Sequence, residues 1–549
     1  MNRFDADIII VGAGPVGMTA AIEAGRRGKS VIVLERRDVE NPAGAKCNSV
    51  AARTMETFRS LGIADDVAQA GLPDDFPTDV ICATSVTGPE LTRLELPSRN
   101  ERGAPRFGDS KWRAAEPMVR VSQIYLEPIL KRKMLATPGV AAHFKAEVSQ
   151  VGQDADGVTV NATLADGSVA TFTGQYLLGC DGGRSLVRKT IGATLTGDAE
   201  IARTRSTLIH APGLKALWGK RRPAWMSWIV NSQARGIVVA IDGRDTWLVH
   251  RPLPEGETEF DAVDFDTSIR AVLGVDGDFD YEVINHEDWI GRRMVADKMR
   301  DRRIFIAGDA AHLWVPFAGY GMNAGIADAM NAVWAISNVL DGWAGPAMLD
   351  AYEAERHPIT EQVSRHAMQS MLDTVEALGK GSVPKAFSSR YNPAGIAMRA
   401  VMARKIGPLN AAQFLPEGLN FGYFYDRSPV IVADGLAPGY SMGAHTPSTV
   451  PGCRLPHFLI DGRPVVDLLG PAYTLLRFDP GIDVAPLVKA AGRAGMPLKL
   501  VDARMPSGDP AFTHPLMIVR PDQHVAWRGK SIPTDPETLI ARLAGRPAL

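Results

Sequence analysis

Cysteine is scarce in this chain: Cys47, Cys82, Cys180 and Cys453 are the only four in 549 residues, and no two form a C-x-x-C. That excludes a disulfide framework and gives no basis for structural zinc or an iron–sulfur cluster, so no metal is expected. H-E-x-x-H is absent, and no G-x-S-x-G stands between a strand pattern and a helix pattern, which removes zincin and nucleophile-elbow chemistry. No apolar run approaches the ~20 residues of a membrane span. Ile8-Ile9-Ile10-Val11 ends at once on Gly12, which is the pattern of a strand and not of a signal peptide. Neither sign of charge dominates: a formal net charge of −2 draws the molecule to neither nucleic acid nor anionic lipid. The expectation is a cytoplasmic protein with no nucleic-acid or membrane partner. With 45% hydrophobic and 22% charged residues it is an ordinary globular chain, and its length implies about two to four domains.

What is present begins at residue 7: DIIIVGAGPVGMTAAIEAGRRGKSVIVLE. A buried strand runs into Gly12-x-Gly14-x-x-Gly17, an alanine-rich helix follows, Gly28 stops it, and a second strand ends on Glu35. Gly12 permits the tight turn, Gly14 lets the backbone approach a pyrophosphate, and Gly17 lets helix and strand pack closely. The amides and positive dipole end of the helix then face the phosphates. Glu35 accepts from an adenosine ribose and repels a 2′-phosphate, which selects FAD or NAD over NADP. Pro15 and Arg36 adjoin these residues and are assigned to the same site. Spacing alone does not separate FAD from NAD.

Two further stretches bear on that choice. Residues 176–188 read YLLGCDGGRSLVR, a strand followed by Asp181-Gly182 and a helix start; residues 304–316 read IFIAGDAAHLWVP, a strand followed by Gly308-Asp309 and, six residues on, Pro316. With the N-terminal glycines, this ordered trio resembles the FAD-dependent aromatic hydroxylases, the single-component (group A) flavoprotein monooxygenases. The resemblance implies FAD as cofactor, with Asp309 on the ribityl chain and Pro316 close to the ring. Gly321-Met322-Asn323 would offer amides to the ring's pyrimidine edge, where a helix N-terminus stabilises negative charge. It places Asp181 and Arg188 on the wall near the pyrophosphate, Gln123 (in Val121-Ser122-Gln123) on the flavin side chain, and Val148, in a strand 144–151, beside the adenine. Lys46 stands where many relatives have arginine and would serve the phosphates as a point charge. Tyr320 stands where relatives commonly have glutamine.

The fold class implied is α/β: a Rossmann-like FAD-binding domain, an inserted β-sheet substrate domain and a C-terminal thioredoxin-like domain. The FAD-binding domain is read as discontinuous, over 1–75, 105–185 and 286–365. Residues 76–104 and 186–285 form the middle sheet, 366–419 a helical linker or lid, and 420–549 the thioredoxin-like tail of the phenol hydroxylase branch, without redox cysteines. Strands are expected at 227–231, 236–241 and 246–250. Trp225, Trp228 and Trp247 are candidates to line an apolar pocket.

No second strand–glycine–helix fingerprint occurs, so NADH or NADPH is expected to visit the flavin over a surface groove. The activity implied is hydroxylation of a substituted phenol or catechol by molecular oxygen through a flavin hydroperoxide. A nitro or halogen group at the attacked carbon would be expelled. His312 and Tyr320, in the flavin loop, are the candidate catalytic residues, with His210 and His250 of the middle sheet as further possible bases. The partner is a small aromatic substrate, and a homodimer is one open assembly state. A halogenase, a dehydrogenase and a flavin redox-sensing module stay open as alternatives. The halogenase signature W-x-W-x-I-P is only faintly echoed by Trp225-Met226-Ser227-Trp228-Ile229-Val230.

Overall fold

Ile8, Ile9 and Ile10 offer apolar side chains to both faces of a strand, so that strand must be covered on both sides. In the computed structural model, which describes residues 3–41, 44–254, 256–315, 319–379 and 383–547, all three are fully buried. Their strand, Ala6–Val11, lies inside a sheet ordered Arg300–Asp301, Ile304–Ile306, Val169–Gly179, Ala6–Val11, Val31–Glu35, Val140–Phe144. The pairings from Ile304 to Phe144 are all parallel. Helices Pro15–Arg26 and Tyr320–Leu340 pack against each other beside this sheet. The loops after three parallel strands, at residues 12–14, 180–182 and 308–309, thereby meet at one edge, the usual ligand edge of an open α/β sheet. Where a single strand was expected over 144–151, the chain turns at Lys145, which has φ +54°, and makes two, Val140–Phe144 and Glu147–Gln153.

A second eight-stranded sheet is ordered His312–Leu313, Glu282–Ala296, Leu195–His210, Thr246–Pro252, Arg235–Ala240, Met226–Val230, Val80–Ala83, Glu90–Leu94. One boundary of the sequence reading changes here. Residues 286–296, assigned above to the FAD-binding segment, continue the long strand Glu282–Ala296 that pairs with Leu195–His210. A strand of fifteen residues reaches from the second sheet to the base of the first, and a composition-based cut cannot see that continuity. Trp247 is core and not pocket: it is 1% exposed and stacks on Trp218 at 5.5 Å between ring centroids.

The helix Pro393–Phe414 occupies much of the stretch read as linker or lid, and it packs on the helix Ala347–Leu378 and the strand Glu90–Leu94. Beyond it a four-stranded sheet ordered Leu498–Asp502, Tyr473–Arg477, Leu516–Val519, Val525–Gly529 has the parallel-then-antiparallel order of a thioredoxin-like core, with helices Ala485–Arg493 and Pro536–Leu543. Among the described residues, no helix is long and apolar enough to cross a membrane.

A buried ion pair ties this tail to the helix Ala347–Leu378. Arg520, fully buried, donates to both oxygens of Glu355 at 2.6 and 2.9 Å, and Ser428 and Asn331 donate to the same carboxylate. Removing one member of such a pair leaves an uncompensated buried charge, at a cost of about 3–5 kcal/mol. Arg520→Met is therefore expected to lower the thermal midpoint sharply in scanning calorimetry. An unchanged midpoint would show that this ion pair does not hold the tail.

Candidate active site

The glycine turn is built by close approach. Gly12 has φ +99°, and a Cβ there would lie 2.4 Å from the carbonyl oxygen of Cys180; one on Gly17 would lie 2.0 Å from the carbonyl oxygen of Gly12. Gly14 differs, because a Cβ on it would meet nothing within 4 Å. It borders a cavity of about 920 Å³ that Gly12, Gly14, Pro15, Glu35 and Arg36 line from this end. The helix Pro15–Arg26 opens toward it with no side-chain cap and no acidic residue in its first turn, so its amides are left for an anion. Glu35 is buried, its Oε2 accepting from the Ala13 N–H at 2.6 Å and its Oε1 from the Arg37 N–H at 2.8 Å. Oε1 also accepts from Arg37 Nε at 3.2 Å, so Oε2 is the oxygen that keeps acceptor capacity for a ligand hydroxyl. Arg37 also reaches Glu127 and lines the cavity. The sequence reading passed over it, although it stands two residues beyond Glu35.

Lys46, Gln123, Val148, Asp181, Asp309, Gly321 and Met322 line the same cavity. Gln123 donates to Glu127 at 2.6 Å, and its backbone N–H holds the Cys47 carbonyl at 2.7 Å. Asp181 accepts from the N–H groups of Leu186 (2.7 Å) and Val187 (3.1 Å) through one oxygen, while the other is buried without a partner. Arg188 does not reach the cavity wall. It is buried and donates to the carbonyls of Ala310 (3.0 Å) and Gly183 (2.9 Å), clamping the two loops together. Asp309 is open to the cavity yet enclosed by protein, and that desolvation pushes its carboxyl above the ordinary range against the pull of His312 and Lys46. Pro316 lies outside the described residues. Gly319, with φ +72°, opens the helix Tyr320–Leu340, whose first turn also carries no acid.

The Asn323 side chain is turned away from this cavity, which leaves the role expected of its backbone amide untouched: its Oδ1 accepts from the Ala51 N–H at 2.9 Å, and its Nδ2 donates to the carbonyls of Gly319 and Ser49. It pins residues 49–51 to the helix start. His312, a candidate catalytic residue, is 1% exposed, with its Nε2 2.7 Å from Asp328 Oδ2 and its ring stacked on Trp314. Asp328 in turn accepts from Arg356 at 2.8 Å. Tyr320, the other candidate, borders a separate cavity and receives a hydrogen bond from Asn420 at 3.2 Å. Neither side chain borders the cavity that the glycine turn and Asp309 share, so neither is placed to touch a reacting group there.

The inner end of the cavity is aromatic. Trp225 and Trp228 reach it, joined by Trp289, Trp314 and Phe414, the last on the helix of the expected linker. His250 reaches it too, whereas His210 is exposed at a strand end. His250 pairs across the sheet with Ser206, whose Oγ lies 2.7 Å from His250 Nδ1 and accepts from Trp289 Nε1 at 2.7 Å. Burial pushes the imidazole down to about 4, so it is neutral at physiological pH. Burial raises the thiols of Cys47 and Cys180 on the cavity wall, so neither is a ready thiolate.

These features suit FAD: an open glycine position, two uncapped helix ends, and a buried carboxylate oxygen without a partner. Residues 5–367 match the family model described as FAD binding domain, and residues 448–547 match aromatic-ring hydroxylase, C-terminal. The chain is 29% identical to phenol 2-monooxygenase of Pseudomonas sp. (strain EST1001), over 98% of this chain and 92% of that one. It is 28% identical to 4-methyl-5-nitrocatechol 5-monooxygenase of Burkholderia sp., over 98% and 96%. It superposes on aklavinone-11 hydroxylase, solved as a ternary complex with FAD and aklavinone, with a TM-score of 0.80 at 27% identity and full coverage of both chains. The chain therefore belongs to the FAD-dependent aromatic hydroxylase family, and it is a flavoprotein monooxygenase that works with NAD(P)H and molecular oxygen.

Proposed function

We propose that the enzyme hydroxylates a substituted phenol or catechol bound at the aromatic inner end of the cavity. The observation that carries this reading is the pairing of flat apolar walls with a hydrogen-bonded polar cluster, His250–Ser206–Trp289. Bound FAD supplies the redox chemistry, taking reducing equivalents from NADH or NADPH and activating oxygen for transfer of one atom to the ring. Gly14 and the Pro15 helix hold the pyrophosphate, Glu35 the ribose, Asp309 the ribityl chain, and the amides of Gly321 and Met322 the ring edge. Arg36, Lys46, Gln123, Val148 and Asp181 complete the wall. Trp225, Trp228, Trp289 and Phe414 exclude water and hold the substrate ring. His250 bonds the substrate hydroxyl and favours its ionised form, the more nucleophilic one.

The nitrocatechol relative supports expulsion of a nitro or halogen group where the ring carries one at the attacked carbon. A fused-ring phenol is the second reading. It is favoured by the cavity wall at Met371 and Val375, where Val375 is 45% exposed, and by the aklavinone complex of the structural relative. The test is a panel of phenols, catechols, nitrophenols and fused-ring phenols with the FAD-loaded protein under ¹⁸O₂. NAD(P)H consumption, labelled product and nitrite or halide release are measured together. Label in product from one class identifies the substrate. NAD(P)H oxidation that yields only hydrogen peroxide across all classes would overturn the proposal.

A further inference from the structure

The molecule holds a second cavity, of about 250 Å³, between the helices of the FAD-binding region and the C-terminal tail. Its walls include Trp334, Tyr423 and Tyr425, all nearly buried, and four arginines, of which Arg26 and Arg27 pair with Glu23 while Arg53 and Arg356 meet at Tyr423. Both guanidinium groups lie over the ring of Tyr423, at 4.3 and 5.6 Å from its centroid. Nη1 of each is buried and has no hydrogen-bond partner. Arg356 is 1% exposed; its Nε is committed to Asp328 and its Nη2 to the Ala324 carbonyl.

Arg53 lacks a carboxylate in contact. Of the three acids that line the cavity, Glu23 is held by Arg26 and Arg27, Glu56 by Arg454 and Asp522 by Arg520. Arg53 Nη2 lies instead 2.7 Å from Nε2 of His524. That imidazole's Nδ1 is 2.7 Å from the Gly452 carbonyl, so Nδ1 carries the proton and Nε2 accepts. Burial depresses the His524 basicity far below its ordinary value, and the ring is neutral. A guanidinium whose contacts are a neutral imidazole and a ring face, with a buried N–H left over, is short of an anion.

We propose that this cavity is a binding site for a small aromatic carboxylate. The carboxylate would take the free Nη1 groups of Arg53 and Arg356, and the ring would lie among Trp334, Tyr423 and Tyr425. The volume equals that of roughly eight waters, enough for one substituted ring. The site is wired to the flavin end of the molecule. Tyr320 and Asn323 face this cavity while Gly319, Gly321 and Met322 of the same turn face the other. Asp328, the partner of Arg356, also accepts from His312 and from the Gly308 N–H, next to Asp309. An occupant thus touches the far side of the helix turn and loop that line the flavin cavity.

The experiment is calorimetric titration of the FAD-loaded protein with benzoate, which lacks the ring hydroxyl of a substrate, and with benzylamine as the cation of the same shape. The visible flavin band is followed in parallel. Saturable benzoate binding with a shift of that band is expected, with no binding of benzylamine. Arg53→Met removes one donor and Ala327→Phe fills the cavity from the helix wall; each should weaken benzoate roughly tenfold or more. Trp228→Ala, in the first cavity, should leave it unchanged. Three results overturn the proposal: no saturable benzoate binding by the parent, benzylamine binding as tightly as benzoate, or a loss confined to Trp228→Ala.

Discussion

Gly14→Ala is expected to give a protein that folds as stably as the parent and has lost most of its hold on FAD. A methyl at this position meets nothing in the protein, and Gly14 has φ −73° and ψ 179°, which alanine adopts freely. The methyl projects instead into the space assigned to the pyrophosphate, where the backbone must approach within hydrogen-bond distance. A loss of about 3 kcal/mol, roughly a hundredfold in Kd, is the scale for pushing a phosphate off two or more amides. Gly17→Ala is the matched contrast. Its methyl would lie 2.0 Å from a backbone oxygen that cannot give way without moving the Gly12 turn. FAD affinity and the thermal midpoint of the apoprotein should therefore fall together. The check is FAD titration by fluorescence quenching beside calorimetry of the FAD-free protein. Should Gly14→Ala bind FAD like the parent, the pyrophosphate does not lie on this turn.

The contrast marks where sequence is legible. Strand, glycines, helix, second strand and Glu35 follow one another within thirty residues, and their geometry is local, so spacing alone carries it. The Gly308-Asp309 loop is legible for the same reason: a strand fixes where its next residues emerge. What failed was side-chain direction. His312 and Tyr320 lie within or beside the flavin loop, yet both turn away from the cavity. Partners remote in the chain claim them: Asp328 and Asn420. No periodicity encodes those pairings. Sequence names His250 and His210 alike as possible bases of the middle sheet, and only the register of Thr246–Pro252 against Leu195–His210 sets His250 opposite Ser206. Gln413 and Phe414 reach the cavity from a stretch whose composition suggested a linker.

His250→Ala is expected to lower kcat/KM for an un-ionised phenol by about ten- to a hundredfold near neutral pH, with FAD content unchanged. The hydrogen-bond pattern sets the direction of the effect. Trp289 Nε1 donates to Ser206 Oγ, and in the proposed tautomer the Ser206 hydroxyl donates to His250 Nδ1. The neutral ring then carries its own proton on Nε2 and presents a donor to the cavity. A donor bonds a phenolate more strongly than a phenol, by the ~1.5–3 kcal/mol of a bond to a charged group. On the proposed role the parent is expected to lower the pKa of the bound substrate hydroxyl, and the variant to return it toward its free value. Because the imidazole is held down to about 4, its own titration falls well below the working range and does not mask this shift. Three measurements separate this role from packing. The alkaline rise of kcat/KM should move to higher pH in the variant, and the deficit should narrow as pH approaches the substrate's own pKa. A nitrophenol, already ionised, should show little loss. His250→Gln, which keeps a donor of similar reach, should recover part of the activity. A deficit equal for every substrate and flat with pH would mean that His250 only fills space beside Trp289.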